Sequence, residues 1–435
     1  MIHLLRHAGR TFMRNLHRYR VVLLALTLVV AVLVFVLATV LGIRTTLREK
    51  SSRYFAGDVV VLGYQGTGNS RIEEPEEVLA AVDAVRSGGE VEIRGVSRRS
   101  SYYEKENTAL FFAGYWTRQR RIVGVEWERE AEALAGFDFV EGGVPETGER
   151  EAALISTATA EELRLRVGDR ITASLRSSRG RTNTAELTVA GIYREASFFG
   201  FTTYMERTAL NRLKEVPEER VNEIGVFLER PGRDQAAAAA ALTEELSRRL
   251  PTFSVLTDRD AYSRAAGASR EQREYGVVTL EAQLSEITDL LDAVTLIATV
   301  ILVLFLGIVI VGVGNTYSMI IYERTREIGT LRALGMQRPR MILLFLSESL
   351  FLGLSGVILG LAMGYAGLFA VEQLMRFPES TWSTLFMVGG RLQWEITPGA
   401  LAAVAGLALG ASLLGAFRAA VRAGFVSPVD ALRHE

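Results

Sequence analysis

The stretch YERTREIGTLRALGMQRPR, residues 322–340, decides the architecture of this chain. It is charged, and it lies between two long apolar runs at residues 290–321 and 341–371. Gly335 follows the last apolar position of the stretch, where helices commonly end in the left-handed conformation, and Pro339 disfavours an early restart. The pattern therefore predicts a short amphipathic helix at a membrane surface, joined at both ends to membrane helices. The residues that would form its apolar face are Ile321, Ile328, Leu331 and Leu334, with Glu323, Arg324, Arg326, Glu327 and Arg332 between them.

The composition limits the class of protein. The chain has 435 residues, of which 49% are hydrophobic, and a mean hydropathy of +0.19. These values are too polar for a chain buried wholly in the membrane and too apolar for an ordinary soluble protein. The formal net charge of −1 gives no electrostatic reason to expect a nucleic-acid partner. The sequence contains no cysteine, which excludes disulfides, thiolate metal sites and cysteine nucleophiles.

Four apolar segments are long enough to span a bilayer. The first, residues 21–43, carries no charge, and at ~1.5 Å per residue it crosses the ~30 Å hydrocarbon core with some tilt. A cleavable signal peptide is the alternative, but its apolar region is shorter and ends at a small-x-small cleavage site, which this run lacks. We therefore predict an uncleaved anchor. The other three predicted spans are residues 289–321, 341–371 and 397–421.

The placement of arginine predicts the orientation. Arginines cluster before the first span, between the second and third spans, and after the fourth. The positive-inside rule places all three groups, and both termini, in the cytoplasm. Residues 44–288 and the loop at 372–396 are then extracytoplasmic, and residues 422–435 form a cytoplasmic tail. Residues 1–20 have apolar positions every three or four residues, which predicts a helix in the cytoplasmic interface; an unstructured basic anchor is the alternative.

Two of the spans carry small residues at helical spacing. Such faces allow close helix packing in a membrane, either within one chain or between two chains. The sequence leaves both arrangements open. The residues concerned are Gly356, Gly360 and Gly364 in the third span, and Ala402, Gly406 and Gly410 in the fourth.

Glu348 is an acid well inside the third span. An ionisable residue at such a position is a functional candidate by default. The structural interpretation is that its side chain snorkels to the interface, or hydrogen-bonds a neighbouring helix such as the one that carries Asn315. We favour the structural interpretation.

The extracytoplasmic segment is predicted to be an α+β domain, because strand-like alternation is interspersed with amphipathic helical segments. We expect a porter-like lobe from residues 58–128 and 222–262, and an inserted lobe from residues 129–221. The predicted strands are 58–63, 91–96, 109–113, 122–125, 170–175, 185–193 and 223–228, and the predicted helices are 75–85, 157–165, 205–214 and 235–250.

Helical stalks are expected at both ends of this domain. The first span continues past Ile43 toward Tyr54. About two heptads of coiled-coil spacing lead into the second span; a plain amphipathic helix packed on the domain is the alternative. The residues at that spacing are Leu280, Leu284, Ile287, Leu291 and Val294.

The sequence carries no motif for catalysis or cofactor binding. The Gly-rich stretch GYQGTGNS, residues 63–70, has no GK[ST], which favours a turn over a phosphate-binding loop. His3 and His7 are four residues apart but have no carboxylate cluster near them in sequence. Neither GxSxG nor HExxH is present. We therefore expect a chain that is not an enzyme, with no catalytic residues, no metal and no cofactor of its own.

The chain resembles the FtsX-like or MacB-type (type VII) permeases of ABC transporters. The resemblance covers both ends, the membrane region and part of the extracytoplasmic domain. The sequence departs from the family pattern near residue 420, where it lacks a proline often found before the terminal Arg-Ala-Ala, so we expect the fourth helix to continue further. The matching segments are RNLHRYR (14–20), GVPETGEREAALISTATAEELRLRVGDRITASL (143–175), REIGTLRALGMQRPRM (326–341), SESLFLGLSGVILGLAMGY (347–365) and SPVDALRHE (427–435).

The resemblance implies a division of labour. A separate ATPase dimer, which would bind ATP and Mg²⁺, would dock on residues 322–334, and a second permease chain would complete a homodimer or heterodimer. Motion would pass through the stalks to the extracytoplasmic domain, a mode called mechanotransmission, in the bacterial cytoplasmic (inner) membrane. The coupling residues implied are Glu323, Arg324, Glu327, Ile328, Leu331, Arg332, Leu334 and Gly335.

The branch of the family implies the substrate. The segments around residues 57–66 and 122–143 look most like the LolC/LolE branch, which releases lipoproteins, so a lipoprotein or a periplasmic partner is expected beside membrane lipid. A MacB-like efflux permease is the alternative. A membrane-anchored receptor or scaffold without an ATPase is a third interpretation, which the short cytoplasmic segments disfavour.

Overall fold

The computed structural model describes residues 16–65, 70–103, 107–195, 200–253, 260–261, 264, 268, 271–378, 386–388 and 390–426, without the side chains of residues 16, 17 and 286. Most of the predicted interfacial helix, part of the Gly-rich stretch and the end of the predicted cytoplasmic tail lie outside these residues. His3 and His7 lie outside them as well. The described chain forms two compact units: one comprises residues up to Ile43, Leu291–Arg376 and the residues from Arg391 onward, and the other comprises Arg44–Leu290 and Phe377–Gly390.

The bounds of the elements are as follows. The helices are α1 (Leu16–Tyr54), α2 (Pro75–Gly88), α3 (Trp127–Ala135), α4 (Thr157–Leu163), α5 (Arg207–Lys214), α6 (Pro231–Ser247), α7 (Leu280–Glu323), α8 (Thr325–Ala333), α9 (Arg338–Leu374) and α10 (Pro398–Gly424). The strands are β1 (Val59–Tyr64), β2 (Ile93–Tyr103), β3 (Ala109–Phe112), β4 (Tyr115–Arg118), β5 (Arg121–Val125), β6 (Asp138–Gly142), β7 (Ala152–Ser156), β8 (Arg170–Arg176), β9 (Thr182–Arg194), β10 (Thr202–Glu206), β11 (Glu223–Leu228), β12 (Glu274–Thr279), β13 (Met387–Val388) and β14 (Arg391–Leu392).

Four of these helices, α1, α7, α9 and α10, are long and apolar enough to cross a membrane. Helices α1, α7 and α9 each contain one of the predicted spans, and α10 contains the fourth except for Thr397, which is its N-cap. Two features at the ends of these helices were also expected: α1 continues to Tyr54, and α10 continues to Gly424 in the absence of a proline. In a sequence of this hydropathy, such helices satisfy every interior backbone group internally, which is what the hydrocarbon core requires.

The small-residue face of α9 packs within the chain, against α1. A methyl group built at Gly360 would lie 2.5 Å from Val30 Cβ and 2.9 Å from the Thr27 carbonyl oxygen. Gly356 and Gly364 are similarly covered, by Leu26 and Val34. The second face differs, because a methyl group at Gly406 or Gly410 of α10 would meet nothing within 4 Å among the described residues.

The second unit is built on one twelve-stranded mixed sheet in the order β12-β1-β11-β2-β5-β10-β7-β9-β8-β3-β4, with β6 paired to β9. Strands β12, β1, β11 and β2 are antiparallel neighbours, and helices α2 and α6 cover them through a core that includes Val59, Val78, Val226, Leu242 and Val277. Parallel pairs join β5 to β10 and β7 to β9. The domain is therefore α+β, as the sequence predicts.

The strand β2 belongs to both halves of this sheet. Its first part pairs with β11, and its last residues pair with β5. Strands β3, β4 and β5, which the sequence analysis assigns to the porter-like lobe, lie beyond β2 beside β8 and β10. The sheet is therefore continuous across the predicted boundary between the lobes at residues 128 and 129. The two lobes with the predicted bounds (58–128 with 222–262, and 129–221) stay a prediction. The strands that were not predicted from the sequence are β4, β6, β7, β10, β12, β13 and β14.

Candidate functional site

The charged connector that opened the sequence analysis forms α8. Helix α7 ends at Glu323, the chain leaves helical geometry for one residue at Arg324 (φ −99°, ψ 13°), and α8 begins at Thr325. The break is compact, because the Ile328 amide still donates to the Arg324 carbonyl oxygen at 2.9 Å. A single-residue interruption of this kind joins the two helices without a flexible loop.

The other end of α8 has the predicted glycine stop. Gly335 has φ +94°, its amide donates to the Arg332 carbonyl at 3.1 Å, and the Met336 amide donates to the Leu331 carbonyl at 3.1 Å. These two bonds form a Schellman motif, which satisfies carbonyls that the helix leaves open. Pro339 lies in the first turn of α9, a position where its missing N–H is no loss.

One side of α8 packs on the chain itself. Ile328 is 2% exposed, and Leu331 is half-buried against the core of the helical unit. The Arg332 guanidinium donates to the Gly424 carbonyl oxygen at the end of α10. Of the coupling residues implied by the sequence, these three therefore hold α8 in place.

The opposite side of α8 and its flanks are open. Tyr322 is 86% exposed and Leu334 is 85% exposed, and Glu327 is exposed as well. We call Tyr322, Arg326, Glu327, Thr330 and Leu334 the outer face of the connector. Two large apolar side chains at its ends, with charges between them, have the composition of a protein-binding surface.

Glu348 lies beside this connector. Its side chain is 1% exposed, so it is buried among the helices and does not extend to an interface. The Tyr19 hydroxyl donates to Glu348 Oε2 at 3.1 Å, and Arg324 Nη1 lies 3.4 Å from Glu348 Oε1. A buried carboxylate is tolerated only with such partners. We call these three residues the Glu348 cluster.

The Glu348 cluster joins three helical segments. Tyr19 belongs to α1, Arg324 lies at the junction of α7 and α8, and Glu348 belongs to α9. The ring of Tyr19 also packs on Tyr317 of α7, with centroids 5.7 Å apart. Asn315, which the sequence analysis considers as a partner of Glu348, has an exposed side chain on α7.

Two further contacts were not found from the sequence. Arg18 Nη1 lies 2.6 Å from Glu323 Oε2, which adds an exposed ion pair between α1 and the end of α7. Ser349 and Ser412, both 0% exposed, each donate to the other's carbonyl oxygen, at 2.9 and 3.0 Å, and so fix α9 to α10. Serine is too common for either position to have stood out in the sequence.

Helix α8 is thus connected to α1 and α9 at its start, through the Glu348 cluster, and to α10 at its end, through the hydrogen bond from Arg332 to Gly424. In the part of the chain that the structure describes, no group of three or more His, Cys, Asp or Glu side chains could hold a metal ion.

Comparison with known proteins gives the family. Residues 21–245 match the model of the MacB-like periplasmic core domain, and residues 299–428 match the FtsX-like permease C-terminal model. The chain belongs to the FtsX-like, MacB-type (type VII) family of ABC transporter permeases. Family membership and the four apolar helices identify a membrane protein. The FtsX-like match includes α8, Arg324 and Glu348.

Individual relatives agree with this assignment. The chain is 31% identical over 128 residues to the uncharacterized ABC transporter permease MJ1507 of Methanocaldococcus jannaschii, covering 29% of this chain and 31% of that protein. It is 30% identical over 168 residues to the uncharacterized ABC transporter permease YknZ of Bacillus subtilis, covering 37% of each chain. It is 29% identical over 125 residues to the macrolide export ATP-binding/permease protein MacB of Bdellovibrio bacteriovorus, covering 29% of this chain and 17% of that protein. The matches thus span little more than a third of these relatives at most.

Proposed function

We propose that this chain is the non-catalytic permease subunit of an ABC transporter and works with a separate ATPase by mechanotransmission. The observation that carries the proposal is the fixation of α8: its inner side is packed on the chain through Ile328 and Leu331, while its outer face is open. A partner that binds the outer face could move α8 only together with the apolar helices. The family membership supports an ATPase as that partner.

The outer face would supply the contacts with the ATPase. Tyr322 and Leu334 are the large apolar side chains of the outer face that are exposed, and a partner that covers them would remove their apolar surface from water. Glu327 and Arg326 would set the orientation at the rim. Leu331 and Leu334 both belong to the coupling set implied by the resemblance. Because Leu331 packs on the chain's own core and Leu334 is open, we propose Leu334 as the anchor for the ATPase.

The ATPase dimer would bind ATP and Mg²⁺, and two copies of this permease, or this chain and a second one, would flank the membrane path. We place α8 and both termini in the cytoplasm and the sheet unit outside, in the bacterial cytoplasmic membrane. A reporter active only in the cytoplasm should be active when inserted within residues 337–340 and inactive near Ser178. Activity near Ser178 would contradict this topology.

For the substrate we propose only a chemical class. We propose transport across the cell envelope or release of a lipoprotein from the membrane, as in the LolC/LolE branch. Efflux is the second candidate, and the observation that favours it is the similarity to a MacB named for macrolide export. Photocrosslinking of the chain in cells would separate the two candidates, since only the first predicts capture of a lipoprotein.

The docking proposal is tested by Leu334→Asp. We expect about tenfold or greater loss of co-purification with the partner ATPase, since a charge at a desolvated anchor is poorly tolerated. Leu374→Asp is the matched control, because Leu374 is 82% exposed at the end of α9, which the proposed topology puts on the other side of the membrane. Equal association of both variants would mean that the ATPase does not bind the outer face.

A further inference from the structure

The carboxyl end of α1 is held by two buried arginines from the sheet. Within the second unit, Arg99 Nη1 donates to the Tyr54 carbonyl oxygen at 3.1 Å, and Arg121 Nη1 donates to the same oxygen at 3.0 Å. Arg99 is 0% exposed and Arg121 is 2% exposed. The last carbonyls of a helix have no partner inside the helix, and cations are favoured there by the helix dipole. Two guanidinium groups on one carbonyl fix its position from two directions.

Each arginine has its own buried carboxylate. Arg99 Nε lies 2.8 Å from Glu130 Oε2 on α3, and Glu130 is 1% exposed. Arg121 pairs with Glu223 on β11 and also donates to Ser101 Oγ at 2.6 Å. Because arginine stays protonated in proteins, burial of both groups depends on these carboxylates. We call Arg99, Arg121, Glu130 and Glu223 the arginine clamp.

The chain just after α1 is seated equally closely. Ser97 Oγ donates to the Ala56 carbonyl oxygen at 2.6 Å, and a methyl group at Gly225 of β11 would lie 1.7 Å from that same oxygen. Only glycine at position 225 therefore allows the chain to lie this near the strand. This close contact holds the chain after α1 against strands β2 and β11.

The start of α7 meets the same region. The amide of Leu280, its first residue, donates to the Asp58 carbonyl oxygen at 3.0 Å, four residues beyond Tyr54. An ion pair between Arg48 of α1 and Glu281 of α7, at 3.4 Å, adds a second link. Both long helices thus attach to the sheet unit within a few residues of each other.

The clamp engages the centre of the sheet. Arg99 lies on β2, the strand that pairs with both halves of the sheet, and Arg121 lies on β5, its neighbour. Glu223 lies on β11, on the other side of β2. A displacement of Tyr54 would therefore be shared by three adjacent central strands and by α3.

We infer that the arginine clamp is the joint through which movement of α1 enters the sheet unit, with Arg99 and Arg121 as positioning residues that make the end of α1 and the sheet one rigid body. The inference rests on the proposed function for the source of the movement. The joint itself is a property of the second unit and can be tested without any partner.

The test uses the full-length chain, which has no native cysteine to interfere with labelling. Spin labels at Glu49→Cys on α1 and Glu244→Cys on α6 report the position of α1 relative to the sheet unit; both native side chains are exposed. The combined variant is Arg99→Met/Glu130→Leu/Arg121→Met/Glu223→Gln, which removes both guanidinium groups without leaving a buried charge. Glutamine at position 223 keeps an acceptor for Ser101.

The wild-type chain should give one narrow distance distribution, and the combined variant should lose it. Variants with only one arginine pair removed should stay narrow, because the other guanidinium still holds the Tyr54 carbonyl. Arg207→Met is the matched control: Arg207 is 4% exposed and donates to the Glu218 carbonyl, and its partner Glu126 keeps Arg98. A narrow distribution in the combined variant would overturn the inference.

A second arm adds the ATPase, ATP and vanadate. In the wild type the label distance should not change, since α1 and the sheet move together, whereas in the combined variant it should shift. A broad distribution that does not shift while the ATPase is bound would overturn transmission through the clamp. If the ATPase does not bind the wild-type chain, the proposed function fails. The comparison of distribution widths between the wild type and the combined variant still decides whether the clamp fixes α1. Should the combined variant fail to fold, Arg99→Lys/Arg121→Lys keeps a charge beside each of Glu130 and Glu223 but removes the forked donors that reach both the carboxylate and the Tyr54 carbonyl, and it should broaden the distribution.

Discussion

Helix α1 is held by buried charge in both units, but in two different ways. In the helical unit, the carboxylate of Glu348 accepts a hydrogen bond from the Tyr19 hydroxyl and lies 3.4 Å from the guanidinium of Arg324. In the sheet unit, Arg99 and Arg121 each have a carboxylate of their own and share one backbone carbonyl. In the first cluster, the hydrogen bond from the neutral Tyr19 hydroxyl does not require a charge on residue 348. In the second cluster, each arginine is paired with one carboxylate, so removing one partner leaves the other as an uncompensated buried charge.

The largest expected effect comes from a substitution that breaks the arginine clamp. Glu130→Leu leaves Arg99 buried without its carboxylate, and we expect a loss of about 3–5 kcal/mol in the free energy of unfolding. The double variant Arg99→Met/Glu130→Leu should recover most of that loss, because an apolar pair replaces an ion pair at little cost. Denaturant unfolding of the full chain in detergent measures both. A double variant as unstable as Glu130→Leu would show that the arginine itself, and not the balance of charge, stabilises the domain.

A second prediction compares the two small-residue faces. Gly360→Val forces a side chain against Val30 and the Thr27 carbonyl and should cost about 1–3 kcal/mol, the range for overpacked sites. A methyl group at Gly406 would meet nothing within 4 Å among the described residues, so Gly406→Val should be tolerated with much less loss of stability. Thermal unfolding in detergent separates the two variants. Equal destabilisation by both would mean that the Gly406 face is also covered in the isolated chain.

Local signals in the sequence predicted the connector well. The spacing of apolar residues gave α8, and the glycine after the last of them gave a stop that the structure shows at φ +94°. The four long helices and the α+β character of the sheet unit followed from hydropathy and alternation for the same reason. Each of these features depends on residues close together in sequence.

The contacts that fix α1 could not be predicted in this way. Arg99 and Arg121 lie 45 and 67 residues from Tyr54, and nothing in a chain so rich in arginine distinguishes them. Tyr19 and Glu348 are 329 residues apart, and the sequence offered Asn315 as a partner instead. Which of Leu331 and Leu334 faces the chain's own core depends on the rotation of α8 about its axis, and two apolar positions three residues apart leave that rotation undetermined.

A third prediction tests the neutral partner in the Glu348 cluster. Glu348→Gln keeps an oxygen that accepts from Tyr19, so we expect a loss of only about 1 kcal/mol, the usual net value of one hydrogen bond. Glu348→Leu removes the acceptor and should cost about twice as much, because the buried Tyr19 hydroxyl then loses this partner. Thermal unfolding of both variants in detergent is the measurement. If Gln and Leu were equally destabilising, the ion pair with Arg324 would be the dominant contact.

The smallest expected effect depends on pH and concerns Asp58, a further buried acid, which lies at the point where α7 meets the sheet. Asp58 is 3% exposed, and its Oδ2 accepts a hydrogen bond from the Leu228 amide at 2.9 Å. Burial raises the pKa of Asp58 above the ordinary value of 3.8, although the Leu228 and Ser52 hydrogen bonds oppose the shift. The folded state therefore binds the proton more tightly than the unfolded state does. The stabilisation is complete below the unfolded pKa and is lost as pH rises through the folded pKa.

Asp58→Asn should remove this dependence, because asparagine keeps an acceptor for the Leu228 amide and cannot ionise. Its free energy of unfolding relative to the wild type should increase from about pH 4 to about pH 7, because the wild type is destabilised when the buried Asp58 carboxyl ionises. Asp83→Asn is the control for exchanging an exposed aspartate, since the Asp83 side chain is 68% exposed. Denaturant unfolding at both pH values measures the effect. A relative stability of Asp58→Asn that falls as pH rises would mean that the carboxylate is stabilised in the folded state, and Asp58 would then belong with the compensated charges of the arginine clamp.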